Sequence, residues 1–537
     1  SRLFGRRTSE ILNLYDNIRQ YDWFVHIGEV SLAEFQEYEA ELSGVEGLYW
    51  KIYPGRYYWN EGTASHAVGY VNWIPEAELG DYVSSGYRQD EYVGQLGLES
   101  AYEEYLRGTP GGTLYLADRN GRMVEGTEII ASSESSPPYA VYSTIDRDLQ
   151  EAVEEAIAGF EGAVVVLERD TGAVLALASV PGFNSNWFNT AHPYSYDGLQ
   201  EIFSDEDRPL INRATGGEYP PGSVFKPVTM AAALESGFFE ADTIYNCGLT
   251  FTDIPGLVLY DWRYEKEKPA RGEITLQEAL VTSCNPYFYH IGLELFNQGQ
   301  PEAITDMAEA FGLGSETGIE IGDQDGLVPS PELKMELQGI EWLPRDPVNL
   351  AIGQSFLTVT PLQVVRYIAA IGNGGTLYQP QLVDRVESVE GEIVEPFAPA
   401  AQGNLPLTPD HLDAIQQGMV DVVRGSLGTA RNRFLGLNLD IAGKTGTATS
   451  GDFTEPHSWF AGYTFEENEN LPDIAVVVML EYQGEGSEWA APVFRRVVES
   501  YFFGRPYAVY PWESQIGVLK TATPTPEPGE VEETAEP

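Results

Sequence analysis

The spacing of apolar residues changes character along the chain, and each change marks a different element. Between Ser143 and Phe160, Ile145, Leu149, Val153 and Ile157 recur every four positions, which lines one face of an α-helix. Two short apolar runs follow, Ala163 to Leu167 and Ala173 to Ala178, with Asp170-Thr171-Gly172 between them, and they read as two strands joined by a short turn. Further helical runs lie around 224–236, 275–297 and 407–424, and strands are expected around 438–449, 457–464 and 473–482. From Ser1 to about Tyr139 the chain is more polar, rich in Tyr and Glu, and broken at Pro54-Gly55 and Pro110-Gly111-Gly112, which reads as mixed α/β structure. There Gly112 to Ala117 looks like a strand entering a tight turn at Arg119-Asn120-Gly121-Arg122, since Asn-Gly supports the positive φ angles of hairpins. Ala131 to Pro138, with four serines and two prolines, reads as a linker and puts a domain boundary there. No internal repeat is evident. The Thr-, Pro- and Glu-rich end from Thr521 to Pro537 has Val531 as its only large apolar residue and reads as a disordered, self-repelling tether.

The chain's 537 residues predict two to four domains at about 150 residues each. With 43% hydrophobic and 21% charged residues the composition is that of a folded globular protein, not of a collagen or a disulfide scaffold. The 31 basic and 82 acidic residues leave a net charge of -51, a field that repels phosphate backbones and anionic lipid surfaces and argues against nucleic acid as a partner. Against that acidity the lysines stand out, at positions 51, 226, 266, 268, 334, 444 and 520. Cys247 and Cys284 form no CxxC pair and have no zinc-ligand spacing, which leaves metal chemistry unindicated and a disulfide between them open outside the cytosol. The longest wholly apolar run, Ile474 to Leu480, is far shorter than the roughly 18 residues of a membrane helix. Ser1 is not followed by a charged-then-apolar leader, so the sequence reads as a chain whose start has been removed.

Three short motifs carry candidate chemistry. Ser223 and Lys226 fall three apart where Pro220-Pro221-Gly222 gives way to a helix, so they are neighbours on one face. A lysine of depressed pKa can take the proton of a serine hydroxyl there, and the N–H groups of the helix start suit an oxyanion. Ser283-Cys284-Asn285 supplies a hydroxyl that can relay a proton and an amide that both donates and accepts, with Cys284 reading as packed and inert. Gly443-Lys444-Thr445-Gly446-Thr447 follows an apolar run and reads as a strand, with Lys444 and Gly446 on one face and Thr445 and Thr447 on the other. A phosphate loop is excluded because Asn438 stands where that motif needs glycine. Glycine in this strand would let a substrate backbone approach and pair as an added strand.

In this order the motifs Ser-x-x-Lys, Ser-x-Asn and Lys-Thr-Gly form the set of the penicillin-binding proteins and serine β-lactamases. The chain resembles the penicillin-binding proteins beyond them. Asn212-Arg213-Ala214, Ala351-Ile352-Gly353-Gln354, Val359-Thr360-Pro361-Leu362-Gln363, Gly372-Asn373-Gly374-Gly375 and His457-Ser458-Trp459-Phe460-Ala461-Gly462-Tyr463 resemble the transpeptidase domain. Arg56, Ala64-Ser65-His66-Ala67-Val68-Gly69-Tyr70, Gly94-Gln95-Leu96-Gly97-Leu98-Glu99 and Leu106-Arg107-Gly108 resemble the non-catalytic pedestal of the monofunctional class B members. Departures are Arg271 before Gly272 in place of histidine, Ser355 in place of glycine and Ser458 in place of alanine, and the class's usual membrane helix is not found.

The resemblance implies an α/β (α+β) fold, with a transpeptidase domain over 139–517 built on a central antiparallel sheet flanked by helices. A pedestal over 1–138, incomplete at its N-terminal end, precedes it, and an acidic tail over 518–537 follows. It implies a peptidoglycan D,D-transpeptidase in which Ser223 attacks the penultimate carbonyl of a D-Ala-D-Ala stem peptide and is acylated by penicillin. Lys226 is then the base, Ser283 passes a proton to the leaving amine with Lys444 as cation partner, and Asn285 orients Lys226. Backbone N–H groups of Ser223 and Thr447 form the oxyanion hole, and Thr445, Gly446 and Thr447 bind substrate. No cofactor or metal is implied. Expected partners are stem peptides, β-lactams and wall-synthesis proteins met through the pedestal, at the extracytoplasmic face of the cell membrane, with membrane contact only through an anchor absent from this chain. The rival readings are a β-lactamase or β-lactam sensor, and a scaffold whose catalysis is secondary. His66, His290 and His457 fit no catalytic pattern and read as structural, and Trp459 and Phe460 read as core.

Overall fold

A computed structural model of the protein describes residues 11–12, 25, 27–53, 55–119, 122–124, 129–449, 455–466, 468 and 471–520; the expected tail from Thr521 onward lies outside them. In the first part, α1 (Leu32–Leu42) begins on a capping box between Ser31 and Glu34. The strands β1 (Tyr70–Trp73) and β2 (Tyr92–Leu96) pair antiparallel, and β3 (Gly112–Leu114) pairs with β4 (Ala131–Ser133). The serine-rich stretch expected to be a linker is therefore partly a strand, and Ser136 bridges to Thr109 beyond it. Serine side chains do not stop the backbone from pairing its own N–H and C=O groups. Asn120 and Gly121 lie outside the described residues, but Ala117 pairs with Met123 across them and Asp118 N donates to Arg122 O at 2.8 Å, so the flanking chain turns back as expected.

β5 (Ala140–Ser143) leads into α2 (Arg147–Ile157), which starts where Asp146 Oδ1 accepts from Leu149 N at 2.9 Å and buries Leu149, Val153 and Ile157. β6 (Gly162–Glu168) and β7 (Val174–Val180) form the expected hairpin. After them come α3 (Lys226–Glu235), β8 (Ile244–Cys247), the short α4 (Trp262–Glu265) and β9 (Gly272–Thr275), which pairs with β8. α5 (Leu276–Thr282) and α6 (Asn285–Asn297) then occupy the stretch read as one helical run over 275–297. The run is broken at Ser283, whose φ of 54° and ψ of 39° end the first helix. Toward the C-terminus lie α7 (Pro361–Gly372), β10 (Val383–Glu387, paired with β5), α8 (Pro409–Arg424), β11 (Ile441–Ala448), β12 (His457–Thr464), β13 (Ile474–Leu480) and α9 (Ala490–Phe503).

Five strands form an antiparallel sheet in the order β11-β12-β13-β6-β7, so β11 is an edge strand. Side chains alternate across β6. Ala163, Val165 and Leu167 enter a core shared with Val228 of α3 and Leu362, Val365 and Ile368 of α7, while Val164 and Val166 enter a second core with Val153 of α2 and Val493, Phe494 and Val497 of α9. Helices therefore cover both faces, which is why these strands read as unbroken apolar runs and not as alternating ones. Each fully buried valine contributes about 1.5–3 kcal/mol.

The first part of the chain is anchored to the second by polar contacts. Tyr58 N donates to Asn186 Oδ1 at 2.8 Å, Asn186 Nδ2 donates to Tyr58 O at 2.9 Å, and Ala64 N donates to Glu154 Oε1 at 2.8 Å. Within the first part, Arg56 pairs with the nearly buried Glu99 at 2.9 Å. Two of the family departures have local consequences. Ser458 is fully buried and its Oγ accepts from Ala490 N at 3.2 Å at the start of α9. Ser355 sits at φ 81°, where L side chains are strained and glycine is at ease. Among the described residues no helix is long and apolar enough to cross a membrane.

Ser355→Gly relieves that backbone strain and is expected to raise stability by about 1 kcal/mol, read as a higher denaturant midpoint at unchanged slope. A lower midpoint would show that the serine is not strained.

Candidate active site

Ser223 lies in a 3₁₀ turn, Gly222–Phe225, that runs directly into α3. The turn presses on β11. A Cβ on Gly222, whose φ is 55°, would stand 2.5 Å from Thr447 O, so glycine is required both for the conformation and for the approach. Residues 226 to 234 of α3 are all buried, and the helix carries the Lys226 amine into the interior. Ser283, in its left-handed conformation, lies between α5, held by the Thr275–Glu278 capping box, and α6, whose N-cap is Cys284.

These elements converge on one hydroxyl. Lys226 Nζ donates to Ser283 O at 2.9 Å, to Ser283 Oγ at 3.1 Å and to Asn285 Oδ1 at 2.7 Å. Lys444 Nζ donates to the same Ser283 Oγ at 3.0 Å and to Thr445 O at 3.0 Å. Both lysines are 0% exposed. Ser223 Oγ is not among the partners of Lys226; Ser223 is partly exposed one turn of chain before the lysine, whose amine bonds instead to the Ser-x-Asn segment.

Burial pushes the Lys226 amine down to about 7, and the charge of Asp261 resists that fall. Burial also pushes Lys444 well below the usual lysine range, and the neighbouring Lys226 charge adds to it. Sharing one oxygen keeps the two nitrogens within about 6 Å, where two positive charges repel by about 3 kcal/mol at an effective dielectric near 20. A second proton on the pair is therefore costly, and near pH 7 Lys226 is divided between an ammonium that donates all three bonds and a neutral amine with a lone pair to offer.

Lys444 and Gly446 face the Ser223 turn, and a Cβ on Gly446 would lie 2.8 Å from both Val224 Cγ1 and Trp459 Cβ. Thr445 and Thr447 project from the opposite face of β11. Thr445 Oγ1 is 2.8 Å from Thr429 Oγ1, and Gly486 N donates to Thr447 Oγ1 at 3.4 Å. Ser223, Lys226, Ser283, Asn285, Lys444 and Gly446 are thus gathered in one place, while Thr445 and Thr447 lie on the other face of β11 against Thr429 and Gly486.

Two features escaped the sequence reading, and a third was left open by it. Asp261, fully buried, accepts from Asn285 N at 2.9 Å and carries no motif of its own. Thr429 has none either. Cys284 is not simply packed as a free thiol: it is joined to Cys247 in a disulfide that ties the middle of Ser-x-Asn to β8. The two sulfurs and the Asp261 carboxylate lie within 4.8 Å of one another, but sulfurs bonded to each other offer no thiolate to a metal ion. The histidines have structural contacts. His66 Nε2 donates to Pro209 O at 2.8 Å with its ring pushed down to about 4 by burial, His290 stacks on Tyr245, and His457 Nδ1 accepts from Tyr482 N. Trp459 and Phe460 are core, as expected.

Comparison with known proteins bears directly on this geometry. The penicillin binding protein transpeptidase domain matches residues 162–499, and the penicillin-binding protein dimerisation domain matches residues 2–137. The chain belongs to the penicillin-binding protein transpeptidase family. It is 31% identical over 477 residues to the peptidoglycan D,D-transpeptidase MrdA of Haemophilus influenzae, covering 83% of this chain and 69% of that one. A solved complex between PBP2 and MreC from Helicobacter pylori matches at TM-score 0.71 and 25% identity over 94% of this chain and 90% of that one. The ceftriaxone acyl-enzyme of penicillin-binding protein A from M. tuberculosis matches at TM-score 0.59 and 27% identity, covering 69% of this chain and 81% of that one. The expected class and the central antiparallel sheet of the transpeptidase domain are borne out.

Folding lowers the Lys226 pKa below its unfolded value of about 10.4, so between about pH 7 and pH 10 the unfolded chain holds a proton that the folded protein has released, and stability rises with pH across that window. Lys226→Met removes the group. Chemical denaturation is expected to find the variant more stable than wild type by about 1–4 kcal/mol at about pH 6, with the gap narrowing toward about pH 10. A gap independent of pH would contradict the depressed pKa.

Proposed function

We propose that Ser223 is the acylated nucleophile of a class B peptidoglycan D,D-transpeptidase, with Lys226 as its base. The observation that carries this reading is the buried Lys226 amine, bound to Ser283 and Asn285 and held near neutrality one turn from Ser223. Ser223 Oγ attacks the penultimate carbonyl carbon of a stem peptide ending in D-Ala-D-Ala, and its proton passes to Lys226 Nζ. The oxyanion is met by the N–H groups of Ser223 and Thr447, which the Gly222–Thr447 contact brings close. The amide C–N bond then breaks, the leaving D-alanine amine takes a proton through Ser283 Oγ, and Lys444 steadies that hydroxyl. An amine of a neighbouring strand attacks the ester, forms the cross-link and frees Ser223. Because β11 is an edge strand, the peptide can add beside it, with Thr445 and Thr447 at its terminal carboxylate. A β-lactam enters the same path and stops at the ester.

The pedestal, residues 1–138, meets wall-synthesis partners, a reading supported by the MreC complex of the Helicobacter relative. The site works outside the cytoplasmic membrane, where cross-linking takes place, and the Cys247–Cys284 disulfide belongs to such an oxidising compartment.

Labelling with a fluorescent penicillin, followed by mass spectrometry of the modified peptide, is expected to place the adduct on Ser223. Ser223→Ala abolishes labelling, and Lys226→Ala slows it about a thousandfold. An adduct on another residue, or a Lys226→Ala rate within a few-fold of wild type, would overturn the assignment.

A further inference from the structure

Behind the Ser-x-Asn segment lies a carboxylate to which the mechanism above gives no part. Asp261 is 0% exposed, and its two oxygens serve two elements at once: Oδ1 accepts from Arg263 N at 3.1 Å, capping α4, and Oδ2 accepts from Asn285 N at 2.9 Å, the first residue of α6. Asn285 in turn accepts from Lys226 Nζ through its side chain. A continuous path therefore runs from the carboxylate through Asn285 to the amine. The same segment is held by Trp262 Nε1 donating to Thr282 O at 3.4 Å, and by the disulfide at Cys284 on the far side. We infer that Asp261 is a positioning residue of the acylation site, fixing Asn285, and through it the Lys226 amine, from behind. The inference rests on the transpeptidase reading of that site.

A cap alone does not require this residue. Serine or asparagine caps a short helix as well as aspartate does, without the several-kcal/mol cost of desolvating a carboxylate. The charged groups around it are Lys226 from α3, Lys444 from β11 beyond Lys226, Arg263 from α4 and Arg271 ahead of β9, with the phenol of Tyr289 on α6 also within its field. The guanidiniums are not bonded to it: Arg263 Nε and Nη1 and Arg271 Nε are buried without hydrogen-bond partners. The carboxylate's own bonds are spent on backbone N–H groups, and its charge acts on Lys226 through space, without a direct bond. Burial holds Asp261 above the usual carboxylate range while the two N–H bonds pull the other way.

The test is Asp261→Asn, which keeps the α4 cap and removes the charge. With seven lysines in the chain, isotope-labelled lysine NMR can follow the Lys226 side chain, assigned through Lys226→Arg. Loss of the negative charge is expected to lower the Lys226 titration midpoint by roughly one pH unit and, by loosening Asn285, to slow acylation by a β-lactam by about ten- to a hundredfold at the pH plateau. A variant with wild-type midpoint and wild-type plateau rate has lost only a cap, and that result overturns the inference. If wild type itself forms no adduct on Ser223, the transpeptidase reading fails while the titration still decides the role of Asp261. Asp261→Ser is made in parallel. Should neither variant fold, hydrogen exchange in wild type decides: an Asn285 amide protected as strongly as the interior of α6 upholds the bond to Asp261, and one exchanging like an open loop refutes it.

Discussion

Two lysine amines taken out of water around a single serine oxygen are the constraint on which the rest of this structure depends. Each ammonium loses several kcal/mol of hydration when buried, and a second charge within about 6 Å adds repulsion. Such an arrangement is a poor way to stabilise a fold. Its use is chemical: the environment that penalises the proton on Lys226 makes that amine a base at neutral pH, and Ser283 Oγ, bonded to both amines, gives a proton a route between them.

The surrounding architecture is what such a site demands. α3 must be buried along its whole active turn to desolvate Lys226, so it packs among α5, α6, α8 and the helix Ala303–Ala310 with its apolar and small side chains buried. β11 must be an edge strand to leave one side free for a peptide, yet its Lys444 must face inward, and strand alternation meets both demands in one segment. Gly222 lets the nucleophile turn touch that strand. Ser283 must present its hydroxyl and its carbonyl to Lys226 together, and a left-handed residue between two helices does this. Cys247 and Asp261 hold that junction from behind, one through a covalent bond and the other through a backbone N–H.

Much of this was legible in the sequence because it is local. The four-residue spacing of Leu149, Val153 and Ile157 marks α2, the two apolar runs around Asp170-Thr171-Gly172 mark the β6–β7 hairpin, and the order of the three motifs marks the site. What was not legible depends on partners distant in the chain. The helical pattern over 275–297 conceals a break, because a single left-handed residue leaves the apolar spacing on either side intact. The serines of 131–138 resemble a linker until β3 supplies a ladder for them. Cys247 and Cys284 have no diagnostic spacing, since their meeting is set by the packing of β8 against α6. Asp261 looks like any helix cap until Asn285 is placed beside it.

The pH dependence of Ser223 acylation by a single β-lactam tests the lysine arrangement most directly. A neutral Lys226 acting as base predicts a rate that rises with pH through a midpoint near 7 and then levels, since the amine must lose its proton before it can take that of Ser223. A rate that is flat from about pH 5 to pH 9, or that climbs only toward the midpoint of about 10.4 for a lysine in water, would contradict it.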